Sequence, residues 1–258
     1  MTGPIAVAGD VHLGAENADA EAFNGFLDSL LSEHEAVTEL VLLGDVWDMI
    51  RRDPFGVAWE SADTIDRLQT IAESIPVRLL LGNHDTYLGG LDDSRYDVAF
   101  LDDYVLEQAE TTIRFVHGNA FDRLQFDALS ERLSGPGDRG DIDPTSGRKD
   151  PLVATLREAV KRGHRGLRAL PLVGTFAGVD AGRYSRRQRR AHAFLDSIAE
   201  HKLVYGHTHS PYVHHDNVAA NPGSWKSTAP VHNTYLLVED GVLELYRYRD
   251  SGADERLG

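Results

Sequence analysis

Five times along this chain, aspartate, asparagine or histidine residues cluster beside a glycine, mostly directly after a short apolar run. These segments are Gly9–His12, Gly44–Asp48, Gly82–Asp85, Val116–Asn119 and Gly206–His209. Short apolar runs bounded by turn residues such as glycine are typical of buried strands. In open α/β sheets, ligands bind beyond the carboxyl ends of the strands. The pattern therefore predicts an α/β fold in which several strand ends contribute to one site.

Hydrophobic periodicity predicts the order of the elements. Short apolar runs indicate strands, and apolar residues recurring every three or four positions indicate helices. Strands are predicted at 4–8, 39–43, 77–81, 111–116, 202–205, 217–220, 234–238 and 242–247, and helices at 19–34 and 57–74. The first five elements alternate between strand and helix, which predicts parallel strands joined by helical crossovers. Glu239, Asp240 and Gly241 predict a hairpin turn.

The segment between the fourth and fifth predicted strands has a different character. Residues 134–150 are rich in glycine, proline, aspartate and serine and predict a loop, whereas 151–162 and 183–201 predict helices. We therefore expect a single domain over 1–258, with a helical cap inserted at 121–201. Its arginine cluster predicts either a solvated helix face or a basic edge that attracts phosphate: Arg183, Arg186, Arg187, Arg189 and Arg190.

Composition restricts the partners of the chain. It has 258 residues, no cysteine and a formal net charge of −15. Without cysteine, a metal must be bound by oxygen or imidazole ligands, which suit hard or borderline divalent ions. The negative charge argues against a broad nucleic-acid-binding surface. No apolar run approaches the ~18 residues of a membrane span, and the N-terminus lacks the basic segment of a signal peptide, so we expect a cytoplasmic protein.

Taken one at a time, the polar segments are weak signals. Asp10 and His12 alternate along a segment expected to be extended, so both can face one side. The same holds for His207 and His209. Gly-Asp after a strand, as at Asp45, is also common turn chemistry. Together, however, five loops supply imidazole, carboxylate and amide donors, and a two-metal hydrolytic site with ions about 3.5–4 Å apart needs such a set.

The set of motifs resembles the calcineurin-like metallophosphoesterases. The motifs are Asp10-x-His12, Gly44-Asp45-x-x-Asp48, Gly82-Asn83-His84-Asp85, His117 and Gly206-His207-x-His209, and the resemblance covers residues 5–120 and 202–247. It implies an α/β fold, a four-layer αββα sandwich of two mixed sheets flanked by helices, with a helical lid insertion. It also implies a hydrolase that cleaves a phosphate ester, phosphodiester or pyrophosphate of a small molecule or nucleotide.

The resemblance implies a role for each matching residue. One metal would be held by Asp10, His12 and His209, the other by Asn83, His117 and His207, and Asp45 would bridge them. Mn²⁺ is the expected ion, with Fe, Zn²⁺ or Co²⁺ as alternatives. A hydroxide between the metals would attack phosphorus. His84 would stabilise or protonate the leaving oxygen, and Asp48 would orient His84. Asp85 and the turn at 221–224 are expected to support the backbone of the site.

Substrate class is the open question. The helical insertion and the Gly-His-Thr-His-Ser-Pro segment are closest in layout to the branch that includes UDP-2,3-diacylglucosamine pyrophosphatase. That branch tends to carry arginine where His84 stands, so a lipid substrate is not implied. Met49 stands where serine/threonine phosphatases carry a phosphate-binding arginine, which argues against that branch. A nuclease of the same superfamily and a non-catalytic metal-binding interaction scaffold are the two alternatives to an enzyme acting on a small phosphorylated substrate.

Overall fold

Two mixed β-sheets carry the strand ends that the sequence pattern marks as functional. The structure, a computed structural model, describes residues 3–32, 36–91, 95–121 and 185–258. Strands β1 to β12 span Ile5–Ala8, Glu39–Leu42, Val77–Leu80, Val98–Leu101, Asp103–Gln108, Thr111–Val116, Lys202–Tyr205, Tyr212–Val213, Ala219–Asn221, Thr234–Glu239, Val242–Arg247 and Glu255–Arg256. Helices α1 to α4 span Ala20–Ser32, Pro54–Glu60, Ala62–Ala72 and Arg186–Leu195, and short 3₁₀ helices span Thr86–Gly90 and Asn119–Phe121.

The first sheet has seven strands in the order β12-β11-β10-β1-β2-β3-β4. Strands β1 to β4 are parallel to one another, whereas β10 is antiparallel to β1 and forms a hairpin with β11. All residues of β1 and β2 are buried, which is why these strands are short, mostly apolar runs without alternation. Because β1, β2 and β3 are parallel, their carboxyl ends meet at one edge of the sheet.

The second sheet has five strands in the order β5-β6-β7-β9-β8. Strands β6, β7 and β9 are parallel, and β5 and β8 are antiparallel edge strands. Side chains of both sheets share one apolar core, in which Val7 and Val41 of the first sheet pack with Phe115 and Val204 of the second. The carboxyl ends of β6 and β7 also lie side by side in this sheet.

Helices cover the other face of the first sheet. Phe26 of α1 packs against Trp225 and Tyr235, with ring centroids 5.2 Å and 4.8 Å away. Helices α1 and α3 are linked by a hydrogen bond in which Thr64 Oγ1 donates to Asn24 Oδ1 over 2.7 Å. One helical layer and two mixed sheets therefore stack in this part of the chain, which confirms the predicted α/β class with two mixed sheets.

The chain divides into two compact units. One comprises residues 1–119 and 199–258, and the other comprises residues 120–198. In the second unit, Ser185 caps α4 through a capping box with Gln188, and Arg190 Nη1 donates to the carbonyl oxygen of Phe121 over 2.8 Å. The predicted loop at 134–150 and helix at 151–162 lie outside the described residues, and so does Arg183. The helical cap at 121–201 therefore stays a prediction.

Most predicted elements are found within a few residues of their expected positions, including the hairpin of β10 and β11. The helix predicted at 57–74 is wrong in one respect, because it is two helices, α2 and α3. Ser61 between them has φ −102° and ψ 16°, which is not helical, and its N–H bonds to the carbonyl of Val57. Strands β4, β5, β8 and β12 were not predicted. No described helix is long and apolar enough to cross a membrane.

Candidate metal centre

Five loops bring the predicted site residues together, and each loop follows one of the parallel strands of the two sheets. In the first sheet these are the loops after β1, β2 and β3, and in the second sheet the loops after β6 and β7. The nine predicted residues on them are Asp10, His12, Asp45, Asp48, Asn83, His84, His117, His207 and His209. The structure brings all nine into one region, where they form two clusters and an adjoining histidine–aspartate pair.

The first cluster consists of Asp10, His12 and His209. One potential ligand atom from each residue lies within 4.8 Å of the others. The Nε2 atoms of His12 and His209 are 3.2 Å apart, and His209 Nε2 is 3.5 Å from Asp10 Oδ1. Asp10 and His12 are buried, whereas the side chain of His209 is 30% exposed. Two ring nitrogens and a carboxylate oxygen therefore converge on one small volume.

The second cluster consists of Asp45, His117 and His207, again with ligand atoms within 4.8 Å of one another. His117 Nε2 is 3.3 Å from Asp45 Oδ2 and 3.2 Å from Asn83 Oδ1. The ring centroids of His117 and His207 are 5.2 Å apart. Asn83 thus adds its amide oxygen to the two imidazoles and the carboxylate of this cluster.

Asp45 is common to the surroundings of both clusters. Its Oδ2 atom is 3.7 Å from His12 Nε2 and 3.3 Å from His117 Nε2. Its other oxygen, Oδ1, accepts a 2.7 Å hydrogen bond from the backbone N–H of His84. This backbone contact fixes the carboxylate so that Oδ2 faces the imidazoles on both sides.

Two carboxylate oxygens in the clusters are buried without a hydrogen-bond partner among the described residues. They are Asp10 Oδ1 and Asp45 Oδ2. The second oxygen of Asp10, Oδ2, accepts a 2.6 Å hydrogen bond from the backbone N–H of His207, as Asp45 Oδ1 does from His84. Buried polar atoms usually have partners, because leaving them unpaired costs about 1–3 kcal/mol each. Divalent cations in the two clusters would satisfy both oxygens, so the donor set fits a metal site.

The protonation of the imidazoles also fits ligand roles. His117 Nδ1 lies 2.7 Å from the carbonyl oxygen of Leu43, and because a carbonyl only accepts, Nδ1 must donate. In the neutral ring, Nε2 is then the free nitrogen facing Asp45 and Asn83. Burial lowers the pKa of His12 to about 4 against the attraction of Asp10, so this ring is neutral near pH 7.

His117 differs from His12 in its protonation. Burial alone would lower its pKa, but the close approach of Asp45 Oδ2, 3.3 Å from Nε2, and the charges of Asp10 and Asp45 raise it to about 9. Burial alone would raise the pKa of Asp45, but the contact with His117 and the hydrogen bond from the backbone N–H of His84 lower it. Asp45 is therefore ionised, and its carboxylate favours a positive charge between the imidazoles, which a cation would supply. Metal binding at such a site releases protons, because imidazole ligands must be neutral.

Beside the clusters, His84 and Asp48 form a hydrogen-bonded pair. His84 Nδ1 is 2.7 Å from Asp48 Oδ1, and Asp48 is fully buried. Arg51 Nη1 donates to Asp48 Oδ2 over 3.2 Å. Burial alone would raise the pKa of Asp48, but the hydrogen bond with His84 and the nearby positive charges lower it. An ionised carboxylate holds the proton of His84 on Nδ1 and leaves Nε2 for a group outside the pair.

The sequence match decides the family. The family of calcineurin-like phosphoesterases matches residues 3–211, which is most of the chain. The chain belongs to this family. A search of curated proteins by sequence returned no match.

Several solved structures of low sequence identity resemble this family member. The E. coli phosphoesterase Yfce is 17% identical, with 99% of this chain and 100% of that chain covered and a TM-score of 0.48. The Pseudomonas putida nuclease MPE is 18% identical, with 98% and 87% covered and a TM-score of 0.43. Vps29 of Entamoeba histolytica, complexed with Zn²⁺, is 15% identical, with 98% of both chains covered and a TM-score of 0.41.

The backbone of this phosphoesterase-family site is left-handed where the sequence suggested extended segments. Asp10, His12, Asp45, His207 and His209 have φ between 51° and 65°. The prediction that Asp10 and His12, and likewise His207 and His209, alternate along an extended segment is therefore wrong, although the side chains do converge. Non-glycine residues in such conformations cost about 1–3 kcal/mol each and cluster at functional sites.

Glycine is required where two of the loops pass close to a ligand carboxylate. A Cβ atom at Gly82 would overlap the backbone nitrogen and Oδ1 of Asp45. A Cβ atom at Gly206 would lie 2.8 Å from Asp10 Oδ2. These glycines therefore let the carboxylates lie against neighbouring backbone, where they accept the hydrogen bonds that orient them.

Two polar side chains support the loops from behind, as the sequence predicts. The buried carboxylate of Asp85 accepts hydrogen bonds from the backbone N–H groups of Val46 and Gly82, at 2.8 Å and 2.7 Å. Burial and the charge of Asp45 raise the pKa of Asp85 to about 6. Asn221 Nδ2 donates to the carbonyl of Gly206 over 2.9 Å, which supports the loop that carries both late histidines.

Two features of the region were not given roles from the sequence. His214, His215 and Asp216 form a further group whose potential ligand atoms lie within 4.8 Å of one another, in addition to the groups made by the site residues. Three consecutive residues of a surface turn meet this criterion easily, and the contact between Asp216 N and His214 Nδ1 at 3.2 Å is local. Lys226 is the other feature. It lies two residues after Ser224, the last residue of the Asn221–Ser224 turn, in a chain that has only four lysines.

Proposed function

We propose that this protein is a metal-dependent phosphoesterase that hydrolyses a small phosphorylated substrate with two bound divalent cations. One observation carries the proposal. Asp45 belongs to the second cluster and faces the first, and its buried Oδ2 atom, which has no hydrogen-bond partner among the described residues, lies between His12 and His117. A shared carboxylate with donors on both sides is the arrangement that paired cations need.

The proposed ligands follow from the two clusters. Asp10, His12 and His209 would hold one cation, Asn83, His117 and His207 would hold the other, and Asp45 would bind both. Oxygen and imidazole donors suit Mn²⁺, which we expect, and also Fe, Zn²⁺ or Co²⁺. When bound, paired cations lower the pKa of coordinated water and neutralise negative charge on a phosphoryl group.

His84 is the proposed general acid. Its Nδ1–H donates to the ionised Asp48, so Nε2 is the nitrogen that would carry a proton to the leaving oxygen of the substrate. Asp48 would fix the tautomer and the ring orientation and would stabilise the imidazolium form. Because Asp48 lies beyond His84 and accepts a hydrogen bond from Arg51, it acts as a positioning residue.

The net charge favours a small substrate over nucleic acid. A surface with formal net charge −15 repels a polyanion over its whole length, whereas one phosphate group needs only a local positive site. The hydrolysis assays described next also distinguish the two alternatives, a nuclease and a non-catalytic scaffold.

Hydrolysis assays test the proposal. Protein reconstituted with Mn²⁺ should hydrolyse p-nitrophenyl phosphate or bis-p-nitrophenyl phosphate, and metal-free protein should not. His84→Ala should lower kcat by about 10²–10⁴-fold, the usual contribution of general acid catalysis, with metal content unchanged. His201→Ala, which replaces an exposed histidine away from the clusters, is the matched control. Folded, metal-loaded protein that turns over no ester would support the scaffold, and cleavage of DNA alone would support the nuclease.

A further inference from the structure

Lys226 lies on a segment that is fastened to the loop after β1. The backbone N–H of Trp225 donates to the carbonyl of Asp10 over 3.2 Å, and the N–H of Asp19 donates to the carbonyl of Trp225 over 2.7 Å. Lys226 itself forms an isolated β-bridge with Ala18. Because Trp225 is fully buried, the backbone of Lys226 has a fixed position beside the first cluster.

The ammonium group of Lys226 has no dedicated partner. The side chain is half-buried, and among the described residues it makes no hydrogen bond or ion pair. Lys202, the other described lysine, donates to Asn217 Oδ1 over 2.7 Å and is held in place by it. A partly desolvated cation without a local partner gains from a bound anion, because the anion offsets the lost hydration.

The charges around Lys226 are those of the candidate site. Lys226 lies within electrostatic range of Asp10, Asp45, Asp48 and Arg51. Burial and the charge of Arg51 lower the pKa of Lys226. A bound anion that contacts the side chains of Lys226 and Arg51 would therefore stabilise the charged form of the lysine. If cations engage Asp10 and Asp45, as the proposed function requires, these carboxylates are no longer available to Lys226.

We propose that Lys226 binds the phosphoryl oxygens of the substrate and, together with Arg51, favours a phosphate that carries two negative charges. This inference rests on the proposed function and names its substrate class. The side chain of Arg51 is 60% exposed while it contacts Asp48, so it remains accessible to a ligand. A terminal phosphate has a second pKa near 6 and is largely dianionic at neutral pH, whereas a phosphodiester carries a single charge. Two cationic side chains therefore favour the monoester.

Substitution of Lys226 tests the inference with two ligands. The Mn²⁺-loaded protein is titrated with inorganic phosphate by calorimetry, and KM is measured for p-nitrophenyl phosphate and bis-p-nitrophenyl phosphate. Lys226→Met should raise the Kd of phosphate and the KM of the monoester by about tenfold or more, since a hydrogen bond to a charged group is lost. For the diester we expect a change of less than about threefold. Lys226→Arg should restore monoester binding to a large extent.

Lys202→Met is the matched control, because it removes the charge of a half-buried lysine that is bonded elsewhere. An unchanged Kd for phosphate in Lys226→Met would overturn the inference, as would equal losses on the two esters. The titration does not require turnover. If wild-type protein hydrolysed neither ester but Lys226→Met still weakened phosphate binding, the proposed function would fail while the phosphate-binding role of Lys226 would stand.

Discussion

Gly82→Ala is a single-methyl change that tests the packing around the shared carboxylate. The added Cβ would overlap the backbone nitrogen and Oδ1 of Asp45 and would lie 2.9 Å from its Cγ. Neither group can rotate away, because Oδ1 is held by the backbone N–H of His84 at 2.7 Å. The loop or the carboxylate must therefore move.

The expected cost can be stated in two quantities. Overpacking of this kind typically lowers the free energy of unfolding by about 1–3 kcal/mol. At roughly 2–4 °C per kcal/mol for a chain of this size, Tm should fall by about 2–12 °C. Displacement of Asp45 should also reduce the number of Mn²⁺ ions bound per chain, because this carboxylate serves both proposed cation sites.

Gly89→Ala provides the matched control from the nearby 3₁₀ helix Thr86–Gly90. Among the described residues, the atom that its added Cβ would meet is Leu81 Cδ1 at 2.7 Å, the end of a flexible side chain, so the neighbour can move at small cost. Both variants are compared by calorimetric unfolding and by metal analysis after reconstitution. If Gly82→Ala matched Gly89→Ala in Tm and in bound metal, the close approach between Gly82 and Asp45 would not matter as we argue.

Two further substitutions test the catalytic pair and an ion pair outside the site. Asp48→Asn should lower kcat by about 10²-fold or more while bound metal stays constant, since it orients His84 without being a ligand; loss of metal would contradict this role. Glu200 accepts a 2.6 Å hydrogen bond from Arg114, which lowers its pKa below 4.5 although burial opposes the shift. Its stabilising effect should therefore be complete above that pH and disappear as pH falls through the folded pKa. The Tm difference between wild type and Glu200→Gln should be constant from about pH 6 to 8 and shrink in acid; a difference that persists at low pH would refute this assignment.

The sequence pattern was sufficient to predict that side chains from five loops converge. Parallel strands buried on both faces are short apolar runs, and their carboxyl ends meet at one edge, so donors following such runs must approach one another. In the first sheet, the donors that follow β1, β2 and β3 fit this pattern. In the second sheet, the donors that follow β6 and β7 fit it as well. This prediction depends only on local patterns and on the geometry of parallel sheets.

Other features depend on contacts between distant residues and could not be predicted locally. The left-handed conformation of His12 is stabilised by backbone bonding to Asp45, from the loop after the next strand. Strand β5 is a half-exposed edge strand whose charged residues hide the apolar pattern. The position of Lys226 is set by its bridge to Ala18, more than 200 residues earlier in the chain.

Metal stoichiometry is the most direct test of the central claim that seven residues hold two cations through a shared aspartate. Wild-type protein is reconstituted with Mn²⁺, freed of excess metal and measured by mass spectrometry for ions bound per folded chain. We expect roughly two ions in the wild type and fewer than two in Asp45→Ala, because one carboxylate serves both positions. Two ions retained in Asp45→Ala, or one or none in the reconstituted wild type, would contradict the claim.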